Sequence, residues 1–191
     1  MDKGRLEAFS DGVLAVIITI MVLELRPPQG ADLRAVLPAL PPIALYALSF
    51  VFIGIYWNNH HHMLRASKGI DGRAMWANLH LLFWLSLMPF TTGWMGENHF
   101  AALPTAVYGV VLLMAGVAYT LLQTALVAAD PGHKTLSRAV GRDLKGKLSV
   151  AAYACAIPLA FLSQWISDAL YVAVALMWIV PDRRIEKVLE A

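Results

Sequence analysis

The chain has little charge. Asp, Glu, Lys and Arg make up 15% of its 191 residues, where an ordinary soluble domain carries about 25%. With 59% apolar residues and a mean hydropathy of +0.61, this argues against a water-soluble domain and excludes a disordered chain. The net charge of +2 is too small to mark a nucleic-acid binder. The single cysteine, Cys155, excludes an intrachain disulfide. Its place in an apolar run reads as that of a small buried hydrophobe. Catalytic signatures are missing as well: there is no P-loop, no HExxH and no GxSxG elbow. A TVGYG-type selectivity filter is absent, and Thr91-Thr92-Gly93-Trp94 is only a faint echo of one. His99 and His133 stand alone in loops, and nothing assembles a nucleophile with its base.

Apolar runs are what the chain has instead. A membrane helix needs about 20 residues to cross about 30 Å of hydrocarbon, so six of them would use about 120. Polar breaks divide the chain into six such runs, at about 5–25, 41–63, 75–92, 104–128, 144–162 and 165–180. Arg26-Pro27-Pro28 stops the first, because proline cannot continue a helix. Asp130-Pro131-Gly132 follows the fourth, and Ser163-Gln164 is the break between the last two. One long final helix kinked at Pro158 is the other way to read that stretch. Lys3 and Arg5 before an apolar run look superficially like a signal peptide. Asp11, the length of the run and the lack of a small-x-small cleavage site make it a retained helix. The expectation is a single all-α integral membrane domain over 1–191.

Lysine and arginine give its orientation. With the N-terminus inside and six spans, the inner segments hold Lys3, Arg5, Arg65, Lys68, Arg73, Lys134, Arg138, Arg142, Lys145, Lys147, Arg183, Arg184 and Lys187. The outer ones hold only Arg26 and Arg34. Both termini are therefore expected to be cytoplasmic.

Ionisable residues inside a membrane are costly and need partners or water. Here they gather at one depth. Ser10 and Asp11 lie early in the first helix, Asn58, Asn59, His60, His61 and His62 late in the second, and Asn78 and His80 early in the third. A network joining Asp11 to a histidine or to Arg5 would satisfy them. The histidine triplet reads chiefly as structural hydrogen bonding. Consecutive residues project about 100° apart, so the three cannot hold one ion from one helix. A metal site would need Asp11 or His80.

On the first helix, Phe9, Gly12, Val16, Thr19, Ile20 and Leu23 fall within about 60° of Val16, while Asp11 falls near −140°. Two readings of this stripe stay open: ordinary helix packing, or a pore wall whose apolar side chains gate by dewetting.

Arg5-Leu-Glu-Ala-Phe9-Ser10-Asp11 resembles the RxxxFSD signature that opens the first helix of the transmembrane protein 175 family, potassium channels without a P-loop filter. Gly12 to Glu24 continues that pattern. Trp57-Asn-Asn-His60-His61 is similar to the family's second helix, and Asn78 with Pro89-Phe90-Thr91 to its third. The last three helices match in number and hydropathy alone. The resemblance implies a homotetramer of six-helix subunits, with the first helix of each lining a central pore. It implies hydrophobic constrictions at Val16, Ile20 and Leu23 and a selectivity-linked hydroxyl at Thr19. It also implies a polar network of Arg5, Phe9, Ser10, Asp11, Trp57, His60 or His61, and Asn78. Val16 is smaller than the isoleucine or leucine usual at that level. This implies looser closure there, or a main seal at Ile20 and Leu23. Potassium is the implied permeant ion, with no cofactor, and the implied partners are other copies of the chain and the bilayer of a prokaryotic plasma membrane. A proton-coupled or divalent-metal transporter using Asp11, His60–His62 and His80 is the competing function. A small membrane enzyme pairing Asp11 with a histidine is a distant third.

Overall fold

The structure is a computed structural model that describes residues 3–67, 69–129 and 143–179. Lys68, His133, Lys134, Arg138, Arg142, Val180, Arg183, Arg184 and Lys187 lie outside the described residues. Among those described, every regular element is helical. The elements are α1 (Lys3–Leu23), α2 (Leu33–Val36), a 3-10 turn (Leu37–Ala39), α3 (Leu40–Ala66), α4 (Gly72–Ser86), α5 (Met88–Glu97), α6 (Ala102–Ala129), α7 (Leu144–Leu159) and α8 (Gln164–Ile179).

Local chemistry sets these boundaries. The chain leaves α1 just before Pro27-Pro28. Asp32, Asp71 and Asp143 each cap a helix start by accepting a backbone N–H, from Ala35 at 3.0 Å, Ala74 at 2.8 Å and Gly146 at 3.1 Å. The second hydrophobic segment is longer than its apolar run. Helix begins at Leu33 and runs, through the 3-10 turn, to Ala66. Pro38 stands at the start of the 3-10 turn and Pro41 and Pro42 at the start of α3, in first turns whose N–H groups lack acceptors anyway.

The third segment also differs from the single helix expected over 75–92. It runs from Gly72 to Glu97 and breaks at Leu87. Pro89 is the reason: it has no N–H, and its ring would strike the Leu85 carbonyl of a continuous helix. Thr91 to Trp94 are ordinary α5 residues, not a filter loop. The helix α7 ends at Leu159, and a turn at Ala160–Ser163 precedes α8, so the last two segments form a hairpin. With α4 and α5 taken as one segment, the described residues hold six long helical segments. The Lys3–Leu23, Leu33–Ala66 and Ala102–Ala129 stretches are each long and apolar enough to cross a bilayer, and α8 is a shorter apolar helix.

The centre of the bundle is α6, which packs against α4, α5, α7 and α8. Its Leu112, Ala115, Ala118, Leu122 and Leu126 are fully buried. Alanines there let neighbouring backbones come close, the usual basis of helix packing in lipid. In contrast, α1 packs chiefly against α3, α4 and α5 and fully buries one row: Leu6, Ser10, Leu14, Ile17 and Met21. Cys155 departs from expectation, because it is exposed on α7. An apolar run in a membrane chain can face lipid, so hydropathy does not imply burial within the protein.

Candidate functional site

The site is built on α1, and its two faces differ in kind. The buried face carries one hydroxyl, and that hydroxyl is bonded. The Asn78 side-chain amide on α4 donates to Ser10 Oγ at 2.9 Å, and Asn78 Oδ1 accepts from His60 Nε2 on α3 at 2.7 Å. All three residues are buried. The chain Ser10–Asn78–His60 therefore ties α1, α4 and α3 at one depth and satisfies groups that would otherwise be stranded in an apolar interior. His60 carries its proton on Nε2 here, since a carbonyl oxygen only accepts.

Asp11 takes a different partner from those expected. It is exposed, and its Oδ1 accepts from the Trp57 indole of α3 at 3.0 Å, neither from a histidine nor from Arg5. His61 is also exposed and stacks on Trp57 with ring centroids 6.5 Å apart. Trp57 thus replaces the histidine as the group that meets the acid, because its N–H reaches from an aromatic body that tolerates lipid. His80 is engaged within its own helix, where its Nε2 accepts from Trp84 at 2.9 Å. The structure does not bring Asp11, the histidine triplet and His80 together. Among the described residues no group of three His, Cys, Asp or Glu side chains could hold a metal ion. Arg5 and Phe9 join neither chain of bonds; both are exposed.

The opposite face of α1 is bare. Val16 is 54% exposed, Ile20 42% and Leu23 79%. Within the described subunit these three side chains are thus largely uncovered. Thr19 lies exposed among them and donates its hydroxyl to the Val16 carbonyl at 2.9 Å. Its proton is spent inside the helix, so its oxygen offers lone pairs outward. Beside the stripe, α1 and α5 enclose a groove of about 1010 Å³. Phe9, Gly12, Val16 and Ile20 form one wall, and Pro89, Phe90, Gly93 and Trp94 the other. At the far end Glu24 lies over Gly93, where a Cβ would come within 2.9 Å of its Oε2. Arg26 pairs with Glu97 and ties the chain after α1 to the end of α5.

A second polar cluster went unread in the sequence. Ser49 on α3 meets Thr92 on α5 at 2.8 Å and the Tyr108 hydroxyl on α6 at 3.0 Å. All three are buried. Nearby, the Tyr171 hydroxyl donates to the Thr105 carbonyl at 3.0 Å. The available signal was a set of lone hydroxyls inside apolar runs, which carries no spacing to pair them.

Known proteins resemble this chain in sequence and in fold. The family described as "Endosomal/lysosomal potassium channel TMEM175" matches residues 5–89. A protein of Chryseobacterium sp. (strain P1-3), named a potassium channel, is 48% identical over 190 residues, covering 100% of this chain and 99% of that one. The crystal structure of a lysosomal potassium-selective channel TMEM175 homolog from Chamaesiphon minutus superposes with a TM-score of 0.80 at 27% identity, covering 94% of this chain and 97% of that one. A Danio rerio protein, named an endosomal/lysosomal proton channel, is 27% identical over 128 residues, covering 64% of this chain and 24% of that much longer one. The identity to the Chryseobacterium protein runs from end to end and the helices superpose on a solved relative, so the chain is an integral membrane protein that belongs to the TMEM175 family, whose members are ion channels and not enzymes.

Proposed function

We propose that four copies of this chain assemble around a central axis and form a potassium-permeable pore lined by α1 of each. One observation carries this reading: an apolar stripe of a membrane helix, Val16, Ile20 and Leu23, is left uncovered by the subunit that makes it. Relatives named potassium channels give the ion. Rings of these side chains narrow the path and seal it by excluding water. Thr19 supplies oxygen lone pairs at the same wall and favours potassium over sodium. The Ser10–Asn78–His60 chain and the Asp11–Trp57 bond hold the rear of α1 so that the stripe keeps its angle. Arg5, Phe9 and His61 complete the same end of the helix. The lysine and arginine distribution supports cytoplasmic termini in a prokaryotic plasma membrane. The function needs no bound cofactor.

Recording from purified protein in liposomes tests this. A potassium current is expected, raised several-fold in Ile20→Asn and Leu23→Asn, where a polar ring wets the constriction. Thr19→Ala should lower the potassium-to-sodium permeability ratio. Absence of current, or a current indifferent to both asparagines, would reject the pore.

A further inference from the structure

Asp168 plays no part in the pore described above. It lies near the start of α8, and both of its carboxylate oxygens are closed off from solvent and accept no hydrogen bond among the described residues. Its neighbours are satisfied: Ser167 donates to the Ala156 carbonyl at 2.7 Å and Tyr171 to that of Thr105 at 3.0 Å. A carboxylate within a membrane bundle normally pairs or marks a binding route, since leaving it unpaired is costly.

A cavity of about 590 Å³ adjoins it between α3, α5 and α8. That is the size of a small-ligand site. Its wall is apolar and aromatic, with Leu45, Leu48, Met95, Phe100 and Trp165 among the lining residues. Among the described residues, no lysine or arginine lines it. Its one other titratable side chain is His99, exposed in a left-handed turn at φ 51°. The Phe100 and Trp165 rings stack at 6.1 Å. Aromatic faces attract a cation, and an unpartnered carboxylate supplies the charge-assisted acceptor that a primary ammonium needs. None of the lining residues belongs to α1, so the site is separate from the proposed pore wall.

We propose that this cavity binds a protonated primary amine with an apolar body, the Asp168 side chain turning its enclosed carboxylate toward the cavity to accept from the ammonium and the body packing against Phe100 and Trp165. Phosphatidylethanolamine and a free arylalkylamine share the primary ammonium, the apolar body being the acyl chains in one and the aryl group in the other. The test uses full-length protein in phosphatidylcholine nanodiscs, titrated with 2-phenylethylammonium, while thermal unfolding and tryptophan fluorescence are followed. In a second arm, nanodiscs containing phosphatidylethanolamine are used and retained lipid is weighed by native mass spectrometry.

Saturable stabilisation by the amine, and none by 2-phenylethanol, is expected. Asp168→Asn should weaken binding at least about tenfold, the loss of a charge-assisted bond. This variant keeps the side-chain shape and removes a charge that has no partner among the described residues, so it should fold. Val172→Trp, which fills the cavity and leaves the carboxylate in place, should also abolish binding. Retention of phosphatidylethanolamine assigns a lipid source and binding of the free amine alone a soluble one; either supports the site. The proposal falls if the wild-type protein binds neither, if the alcohol binds as well as the amine, or if Asp168→Asn binds undiminished.

Discussion

The helices α1 and α6 are equally apolar over their best membrane windows, yet only 28% of that window is buried in α1 against 39% in α6. In α6 several sides meet other helices; α1 buries one row against the bundle and leaves most of its other residues exposed. The difference teaches that hydropathy reports exclusion from water and does not say what does the excluding. In α6 that is the protein. At Val16, Ile20 and Leu23 it is lipid, another copy or a dewetted path, and the contact pattern of one subunit separates these residues from the core.

The comparison can be broken by truncating both helices. Leu122→Ala on α6 should cost about 2–5 kcal/mol, because it opens a cavity where nothing can collapse. Leu23→Ala should cost within about 0.5 kcal/mol. Reversible unfolding in detergent measures both, and equal losses would erase the distinction. A smaller effect is expected at Ser10→Ala, about 1 kcal/mol, as the Asn78 amide loses its acceptor in the bundle interior. On the bare face, Thr19→Ala should leave stability unchanged while moving selectivity, since its hydroxyl is bonded only within its own helix. Trp57→Phe should cost only a few tenths of a kcal/mol, because the bond to Asp11 is exposed. A larger loss there would place Asp11 in a drier setting than the single subunit gives it.

Much of this was legible in the sequence. The polar breaks and prolines marked where segments end, and the RxxxFSD run with Trp57, His60 and Asn78 marked the residues at one end of α1. The partners within that cluster were not legible. Spacing along three separate helices does not tell whether Asp11 meets His60 or Trp57, because that depends on helix rotation and on a reach of a few ångströms. The break at Leu87 was hidden because an apolar run continues through Pro89, and proline ends one helix as readily as it starts the next. Ser49, Thr92 and Tyr108 were invisible for a related reason: three hydroxyls on three helices have no common period. Asp168 is a single acid in an apolar run, and that it meets no partner among the described residues is a property of the packed bundle alone.

The central claim is that the bare stripe of α1 faces an ion path. The single native cysteine makes a direct measurement possible. In a Cys155→Ser background, one cysteine at a time replaces Val16, Ile20 or Leu23 on the stripe, or Leu14, Ile17 or Met21 on the buried row. Potassium current in liposomes is then followed during exposure to a charged thiol reagent. Rapid loss of current at the stripe positions, with none at the buried row, is the predicted result. Equal sensitivity on both faces, or none at positions 16, 20 and 23, would contradict the account.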